Sequence, residues 1–528
     1  MLNSKTGIMR TQYKMTVLLL AGLLTSTVSC KKDFLEKNPL NSVSSQIFWA
    51  NETDVKTGLA GVYSRLQQNF LGYEKIYLDG ITDNAYLLPG NGNQNNLPLM
   101  ATGGISAGLG GALPNMFSSP YRLISSCNYF LDNVDKAPIS DAAKDVYKAE
   151  VRFLRAFAYF ELVQAFGGVP VYRNYFKLLD EYKIAKSSRE EVYAFIQEDL
   201  DFAIATLPDI KYNGHAVKGS ALGMKARVLI TQEKWGEAVP VLEQVMATAA
   251  GKFKLSNNYA ALFTTSGQAS ADVNSEIMFA TQYLGPSNPH RLSPGASGLH
   301  IEFIRDVLIQ PYKDLADDYE MTDGRPASES PLFNPLAPYA NRDPRLNLTV
   351  KLPGEVWRNA AGAVYDSPSA PATGFLVEKY VDVARGPFDQ ASAVSTDQDI
   401  IHLRYADILL MYAEAKNEVL AVPDASVYNA IDEVRARPGI NMPPVDRQRY
   451  NTKELLRDYI RHERRVEFAF EGQRYNDLKR WRIAHIKLPT LKDPGNTPLV
   501  FEMRNYVLPF PTTELLNNPN LVQNQDYN

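Results

Sequence analysis

Apolar side chains recur every three or four positions between residues 150 and 166, the spacing of one helix face. Phe153 and Phe160 lie off that stripe, so a second face is apolar, as in helices buried on several sides. Gly167 permits a left-handed cap and Pro170 forbids continuation, so this helix is predicted to end at residue 166. We expect its charged residues to find partners elsewhere in the chain, because an unpaired buried charge is very costly.

Further helical patterns flank this central helix in the sequence. Asn51 is a predicted N-cap, and Ser188 opens a capping box with Glu191. Two helices are predicted to start at Asn51 and Ser119. Further helices are predicted over residues 188–207, 221–229 and 235–246, and near the C-terminus over 399–420, 424–437 and 452–481. Paired helices with small residues at their contacts resemble tetratricopeptide units, although the strict repeat pattern is not met. The sequence therefore predicts a mainly α fold, a tetratricopeptide-like scaffold of helical pairs with long irregular loop insertions.

Two stretches lack a helical or strand period. Gly, Asn and Pro interrupt residues 73–117 repeatedly, which indicates loop. Residues 283–398 hold thirteen of the 32 prolines, which argues against regular helix packing there. Long loops on a helical frame are a natural place for recognition.

Charge and composition narrow the function classes. The 528 residues carry a formal net charge of −4, whereas a nucleic-acid binder normally shows a basic excess or patch. Acids and bases alternate along residues 461–480, so a packed ion-pair network is the favoured interpretation of that segment. Tyrosine is frequent, at 29 residues against 4 tryptophans, and such amphipathic rings suit both packing and contact with sugars.

The N-terminus has the pattern of a secretory signal. Lys5, Arg10 and Lys14 precede an apolar run over 15–24, and small residues follow. The run is too short to span a membrane. We therefore predict a signal peptide over residues 1–29.

Cys30 directly follows this signal. Val28 and Ser29 before it resemble a bacterial lipobox, although Thr27 departs from the usual leucine. Cys30 is therefore predicted to be lipidated, with residues 30–50 as a tether; the alternative is an ordinary cleaved signal with an incidental cysteine. Only Cys127 then remains, so no internal disulfide is expected, and Cys127 is interpreted as a small buried apolar residue.

Several segments together carry a family resemblance. The segment AEVRFLRAFAYFELVQAFGGVPVY resembles the central signature of the SusD/RagB family of outer-membrane nutrient-binding lipoproteins of Bacteroidetes. Similar matches in the family's order are ANETDVKTGLAGVYSRL, SSREEVYAFIQEDLDFAIATLP, NRDPRL, IHLRYADILLMYAEAKNE, IDEVRARPG, IRHERRVEFAFEGQRYNDLKRW and NYVLPFPTTELLNNPNLVQNQDY. The resemblance covers nearly the whole chain after the predicted signal.

This resemblance implies one SusD-like domain over residues 51–528. Its helical scaffold would occupy about 51–280 and 399–528, and a loop-rich insertion would occupy about 281–398. The resemblance further implies a surface-exposed outer-membrane lipoprotein of polysaccharide utilisation that captures glycans, or peptides in some members. Its partner would be a SusC-like TonB-dependent transporter, and neither catalysis nor a cofactor would be involved.

Two loops supply the side chains that carbohydrate recognition needs, which are flat rings for sugar C–H faces and planar polar groups for paired hydroxyls. The candidate ligand-binding residues of the first loop are Tyr73, Asp83, Asn84 and Tyr86, with Asp79 beside them. Those of the second loop are Tyr283, Asn288, His290 and Arg291, and Trp357 is a third candidate. Local loop packing is an equally good interpretation of each residue.

Other chemistries find little support in the sequence. Val466 stands where a zinc protease motif starting at His462 needs its second histidine, and the six histidines show no metal spacing. The acids before Gly324 fail the calcium-loop pattern because Tyr319 occupies its first position. No phosphate-binding loop or dinucleotide fingerprint occurs. Peptide capture and a surface glycoside hydrolase with two opposed carboxylates remain the alternatives.

Overall fold

The computed structural model describes residues 48–89, 96–285, 287–290, 303, 306–358, 362, 364–365, 370–383 and 396–527. The predicted signal peptide over 1–29, the lipidation residue Cys30 and the candidate ligand contact Arg291 lie outside these residues.

Helices form most of the regular structure. The longer ones are α1 (Glu52–Tyr63), α3 (Ala112–Leu131), α4 (Asp141–Phe166), α5 (Arg189–Thr206), α6 (Lys218–Thr231), α7 (Trp235–Thr248), α12 (Tyr405–Val419), α13 (Ala425–Arg435) and α14 (Lys453–Phe468). The shorter ones are α2 (Leu97–Ala101), α8 (Thr265–Gln268), α9 (Ala271–Asn274), α10 (Lys313–Asp318), α11 (Arg345–Thr349), α15 (Arg474–Arg480), α16 (Ala484–Lys487) and α17 (Thr512–Asn517).

The strands are short and pair two by two. They are β1 (Ala85–Leu87), β2 (Ile277–Thr281), β3 (Ile309–Pro311), β4 (Val350–Lys351), β5 (Trp357–Arg358), β6 (Val364–Tyr365), β7 (Leu376–Val377) and β8 (Ile400–Arg404). The antiparallel pairs are β1–β3, β2–β8, β4–β7 and β5–β6. Because β2 and β8 pair, the chain segments on either side of the predicted insertion meet.

Consecutive helices pack side by side from α3 to α7, and sequence-distant helices continue the stack. Helix α12 packs on α7, and both α13 and α14 pack on α12. Gly223 lets α6 lie close to β8, since a Cβ there would stand 2.6 Å from the side chain of Leu403. The predicted mainly α, tetratricopeptide-like scaffold with irregular insertions is confirmed.

The central predicted helix is α4, and the predicted burial of more than one face is correct. Its Arg155 is buried and donates to both carboxylate oxygens of Asp199 on α5, at 2.8 and 2.9 Å. The expected pairing of its charged residues is therefore present. Gly167 ends the helix at a φ of 69°, as the glycine pattern predicted.

Helix α14 lies at the centre of a buried ion network. The carboxylate of Glu467 accepts from three guanidinium groups, those of Arg345 at 2.8 Å, Arg404 at 2.7 Å and Arg437 at 3.0 Å. All four side chains are fully buried, so mutual pairing offsets their loss of water. The interpretation of this charged segment as a packed network is confirmed.

Some predicted boundaries were wrong. The helix expected over 452–481 is broken between α14 and α15, where Phe470 and Gly472 adopt positive φ values of 64° and 69°. Residues 400–404 form β8 before α12 begins. The helix expected to start at Ser119 begins at Ala112 instead and passes through Pro120.

Residues 73–117, which were expected to be loop, contain short elements whose sequence shows no helical or strand periodicity. They include the 3₁₀ helix Tyr73–Gly80, then β1 and α2. Every residue of the 3₁₀ helix is buried.

Cys127 is also buried and unpaired, and burial raises the pKa of its thiol. None of the described helices combines the length and the hydropathy that crossing a membrane requires.

Candidate functional site

The structure brings the two predicted recognition loops together. The backbone N–H of Tyr73 donates to the hydroxyl of Tyr283 at 3.0 Å. The ring of His290 stacks on Tyr73, with centroids 5.1 Å apart, and meets Tyr283 edge-on at 4.4 Å. Tyr73 is only 4% exposed, Tyr283 8% and His290 7%. These rings therefore bind the loops to each other and offer little surface to a ligand.

Asp83 and Asn84 require a correction, because both side chains are 0% exposed. Arg474 donates to the two carboxylate oxygens of Asp83, each at 2.8 Å. Arg465 donates to the side-chain oxygen of Asn84 at 3.0 Å and to the backbone oxygen of Asp83 at 2.6 Å. Both residues hold the loop onto α14 and α15 and do not face a ligand.

Electrostatics show how strongly Asp83 is held. Burial acts to raise the pKa of its carboxyl, but the guanidinium groups of Arg465 and Arg474 outweigh burial and hold that pKa well below its usual range. Asp79 lies in a different environment. Burial raises its pKa to about 6, although it accepts from Asn84 at 2.7 Å and from the backbone N–H of Gly472 at 3.0 Å.

Trp357 is also a core residue, which corrects its prediction as a ligand contact. The ring is buried, and its indole N–H donates to Glu378 at 2.7 Å. The ammonium of Lys351 lies 5.4 Å from the ring centroid. No hydrogen bond or ring contact among the described residues joins Trp357 to either recognition loop.

Tyr86 differs from these residues because it remains half-buried on β1. Tyr312 follows β3, the antiparallel partner of β1, and is only 7% exposed. Neither hydroxyl has a hydrogen-bond partner within the described part of the chain. Burial first, and then the nearby carboxylate of Asp493, raise the pKa of both phenols. We call Tyr86, Tyr312 and Asp493 the tyrosine ribbon.

The corrected residues position this ribbon. The backbone N–H of Tyr312 donates to the carbonyl oxygen of Asn84 at 2.9 Å, and that of Leu88 donates to Leu308 at 2.8 Å. Asn84 is in turn fixed by Arg465, as described above. A chain of hydrogen bonds therefore runs from the buried network on α14 to the ribbon, which limits the movement of its rings.

Asn288 is half-buried beside the exposed Leu284, with which its backbone forms an isolated bridge. Its role in ligand binding stays a prediction, as does that of Tyr86.

Two ribbon residues were missed from the sequence. Tyr312 lies in an apolar run that gave no sign of pairing with β1. Asp493 precedes Pro494 and Gly495, a pair typical of a turn, and the structure closes that turn through a hydrogen bond from Thr497 N–H to Asp493 at 2.8 Å. The turn was readable, but its position beside Tyr86 was not.

Carboxylates near the second loop bear on the hydrolase alternative. Burial, opposed by a hydrogen bond from the Tyr283 N–H, raises the pKa of Asp399 to about 7, and Asp397 adds to the shift. Asp397 accepts from the Gly285 N–H at 2.8 Å. Both carboxylates thus hold loop backbone. No group of three His, Cys, Asp or Glu side chains suited to a metal occurs among the residues that the structure describes.

A second surface is rich in tyrosine. A cavity of about 280 Å³ is lined by Tyr121, Tyr172 and Tyr182. Their hydroxyls donate to the carbonyl oxygens of Pro170 at 2.8 Å, Tyr182 at 2.7 Å and Phe176 at 3.0 Å, respectively. Because these hydroxyls are committed to backbone, the rings serve mainly to hold the segment after α4.

Comparison with known proteins gives two family matches. The family described as "SusD family" matches residues 307–527, and the family described as "Starch-binding associating with outer membrane" matches residues 33–230. The two matches lie on either side of the β2 region and together span most of the chain.

Individual relatives agree with these matches. The chain is 25% identical to SusD-like protein P25 of Formosa agariphila, over 96% of this chain and 97% of that protein. It is 23% identical to the starch-binding protein SusD of Bacteroides thetaiotaomicron, over 76% of each. A crystal structure of a SusD-like carbohydrate binding protein from Bacteroides fragilis superposes with a TM-score of 0.77 at 27% identity, covering 90% of this chain and 100% of that one.

Proposed function

The chain belongs to the SusD/RagB family, and from that membership we propose that it captures oligosaccharides at the cell surface and delivers them to a SusC-like TonB-dependent transporter. The relative from Bacteroides fragilis is described as carbohydrate binding and that from Bacteroides thetaiotaomicron as starch-binding, which supports a glycan ligand. We propose no catalysis and no cofactor. Association with the outer membrane is supported by the family description. Lipidation of Cys30 would supply the anchor.

The tyrosine ribbon is the observation that carries the glycan proposal. The half-buried ring of Tyr86 has surface that can contact the apolar face of a sugar while its hydroxyl remains available to sugar hydroxyls, whereas Tyr312, at 7% exposure, offers little ring surface. Tyr86 and Tyr312 retain hydroxyls without protein partners, in contrast to the committed hydroxyls of Tyr121, Tyr172 and Tyr182. Asp493 adds a carboxylate that accepts from paired hydroxyls.

The surroundings of the ribbon complete the proposed site. Asn288 and Arg291 of the second loop remain candidate ligand contacts, and Arg291 lies outside the described residues. Tyr73, Tyr283 and His290 would act beneath the surface by joining the two loops, and Asp83 with Asn84 would fix the register of the ribbon. A fixed surface loses little conformational freedom when a ligand binds, and this preorganisation favours affinity.

Native affinity electrophoresis tests the proposal. The chain from residue 31 onward would be run through gels containing plant, host or microbial polysaccharides, with assays for new reducing ends on the same mixtures. We expect retardation by one class of glycan without new reducing ends. Tyr86→Ala is expected to abolish most of the retardation, and Tyr86→Phe, which keeps the ring and removes the hydroxyl, to weaken it less.

Tyr182→Phe is the matched control, because it alters a tyrosine of the second surface. Retardation that survives Tyr86→Ala and is lost in Tyr182→Phe would move the site to that second surface. New reducing ends would show a glycoside hydrolase. If no polysaccharide or oligosaccharide binds and calorimetry detects peptides instead, capture of glycans is the wrong function.

A further inference from the structure

A large cavity separate from the tyrosine ribbon carries more cationic than anionic side chains in its lining. It has a volume of about 600 Å³ and lies among the end of α4, the first turn of α5, the end of α6 and α15. Its charged lining consists of five cationic side chains and the two carboxylates Glu190 and Glu233; the cations are Arg189, Lys234, Lys479, Arg480 and Arg482. We call it the basic cavity.

Lys479 is the buried cation of this cavity, with 6% of its surface exposed. Its ammonium donates to the carbonyl oxygen of Gln164 at 2.8 Å. No carboxylate of the described residues lies within 4.0 Å of it. Buried lysines normally have a carboxylate partner, since burial of an unpaired charge is costly. The neighbouring Arg480 meets that expectation, because Glu414 accepts from its Nη2 at 2.7 Å and Asp477 accepts from its Nε at 2.8 Å.

Three more cations of the cavity also lack carboxylate partners within 4.0 Å among the described residues, namely Arg189, Lys234 and Arg482. The two arginines are exposed. The Arg482 guanidinium stacks 3.8 Å from the ring centre of Tyr506, which holds it at the cavity wall. Arg189 lies 5.5 Å from the ring centre of Tyr193. Aromatic side chains therefore position these guanidinium groups; Arg189 also donates from Nη2 to the Tyr193 hydroxyl at 3.5 Å, and the other N–H groups of the two arginines have no carboxylate partner among the described residues.

The charges of Arg189 and Arg482 disfavour the charged form of Lys479. Burial first, and then the charges of Arg189 and Arg482, lower the pKa of Lys479 to about 7. Glu190 and Glu233 line the cavity but form no ion pair with the three cations within 4.0 Å. An anion placed among the three groups would relieve their repulsion and accept charge-assisted hydrogen bonds from them.

We propose that the basic cavity binds the oxyanion group of a ligand, a carboxylate, sulfate or phosphate, between Arg189, Lys479 and Arg482. The cavity falls within the range of pockets that bind organic ligands and is far larger than one inorganic anion. The anionic group therefore belongs to a larger molecule, such as an acidic saccharide. This proposal does not depend on glycan binding at the tyrosine ribbon.

Isothermal titration calorimetry with the chain from residue 31 onward tests the inference at low ionic strength. The titrants are sodium sulfate, sodium phosphate, an oligosaccharide of uronic acids and a neutral oligosaccharide of the same length. We expect the acidic oligosaccharide to bind and the neutral one to bind at least tenfold more weakly. Arg482→Gln and Arg189→Gln, both at exposed positions, are each expected to weaken binding about tenfold, as loss of one charge-assisted contact does.

Lys136→Gln is the matched control, since it removes an exposed lysine outside the cavity. It is expected to leave anion binding unchanged. Binding of inorganic sulfate or phosphate as strongly as the acidic saccharide would still place an oxyanion site here but contradict a larger ligand. Absence of binding by every anion, or binding that both arginine variants leave unchanged, would overturn the proposal.

Discussion

Replacing Asp83 with asparagine is expected to destabilise the protein strongly while changing no exposed surface. The side chain is fully buried, and its carboxylate is the bidentate partner of Arg474. It also lies 3.4 Å from Arg465. An amide keeps the shape and loses the charge, so the guanidinium of Arg474 would remain buried without its counter-charge.

The magnitude follows from the cost of breaking a buried ion pair. Removing one partner typically costs about 3–5 kcal/mol of unfolding free energy. A folded chain of roughly 500 residues has an unfolding entropy of about 1 kcal/mol per kelvin at its midpoint. The melting temperature of Asp83→Asn is therefore expected to fall by about 3–5 °C at pH 7.

The pH dependence has a definite sign. The folded-state pKa of Asp83 lies below its unfolded value, so its stabilisation is present above about pH 4 and is lost as the pH falls further. The difference between wild type and Asp83→Asn should therefore be full at pH 7 and shrink below about pH 4. Scanning calorimetry across this range measures it.

Glu329→Gln is the control for this experiment, since it breaks a partly exposed ion pair with Arg449. Water and salt screen such exposed pairs, so its melting temperature should fall far less than that of Asp83→Asn. An Asp83→Asn shift no larger than the control, combined with complete loss of glycan retardation well below the melting temperature, would refute the reasoning. Asp83 would then be a ligand contact, as the sequence first indicated.

Two further predictions concern buried titrating groups. Because burial raises the folded-state pKa of Asp399 to about 7, the folded state gains protons relative to the unfolded one, and this group's contribution to stability falls as pH rises from about 4 to 7. Asp399→Asn should raise the melting temperature more at pH 8 than at pH 4.5, and equal effects in calorimetry at both pH values would contradict this assignment. Burial raises the pKa of the Cys127 thiol, so this thiol should not react with a disulfide reagent in the folded protein. In the chain from residue 31 onward, we expect no reactive thiol under native conditions and one equivalent in guanidinium. Rapid reaction of the folded protein would show that the thiol is accessible.

Local features were predictable because their causes lie within a few residues. The Ser188 hydroxyl accepts from the Glu191 N–H at 3.2 Å, and the Glu191 carboxylate accepts from the Ser188 N–H at 2.7 Å, which is the predicted capping box. The end of α4 at Gly167 has an equally local cause, the positive φ of that glycine.

The candidate site was less predictable because its determinants are distant in sequence. Asp83 meets Arg474 after a separation of 391 residues, and no local pattern reveals that contact. From the sequence, a loop carboxylate beside an asparagine and a tyrosine was as consistent with ligand binding as with burial. Exposure separates these roles, since Asp83 is buried whereas Tyr86 retains surface.

The predicted helix over 452–481 was wrong for a related reason. The carboxylate of Asp79 accepts from the backbone N–H groups of Phe470 and Gly472, each at 3.0 Å. A Cβ at Gly472 would stand 2.6 Å from the carbonyl oxygen of Lys75, so only glycine allows this approach. The break is therefore imposed by a loop nearly four hundred positions away, whereas the helical period alone continued across it.

The buried network on α14 also sets the order in which the chain can mature. During synthesis, Arg345, Arg404 and Arg437 are made before Glu467, their shared carboxylate. Asp83 is made even longer before its partner Arg474. Helices α3 to α7 can associate early because their contacts are close in sequence, but closure of loops this long is slow. A nascent chain stopped before α14 would therefore hold its arginines without Glu467, the carboxylate that joins all three, a state open to proteolysis and aggregation until the last part of the chain arrives.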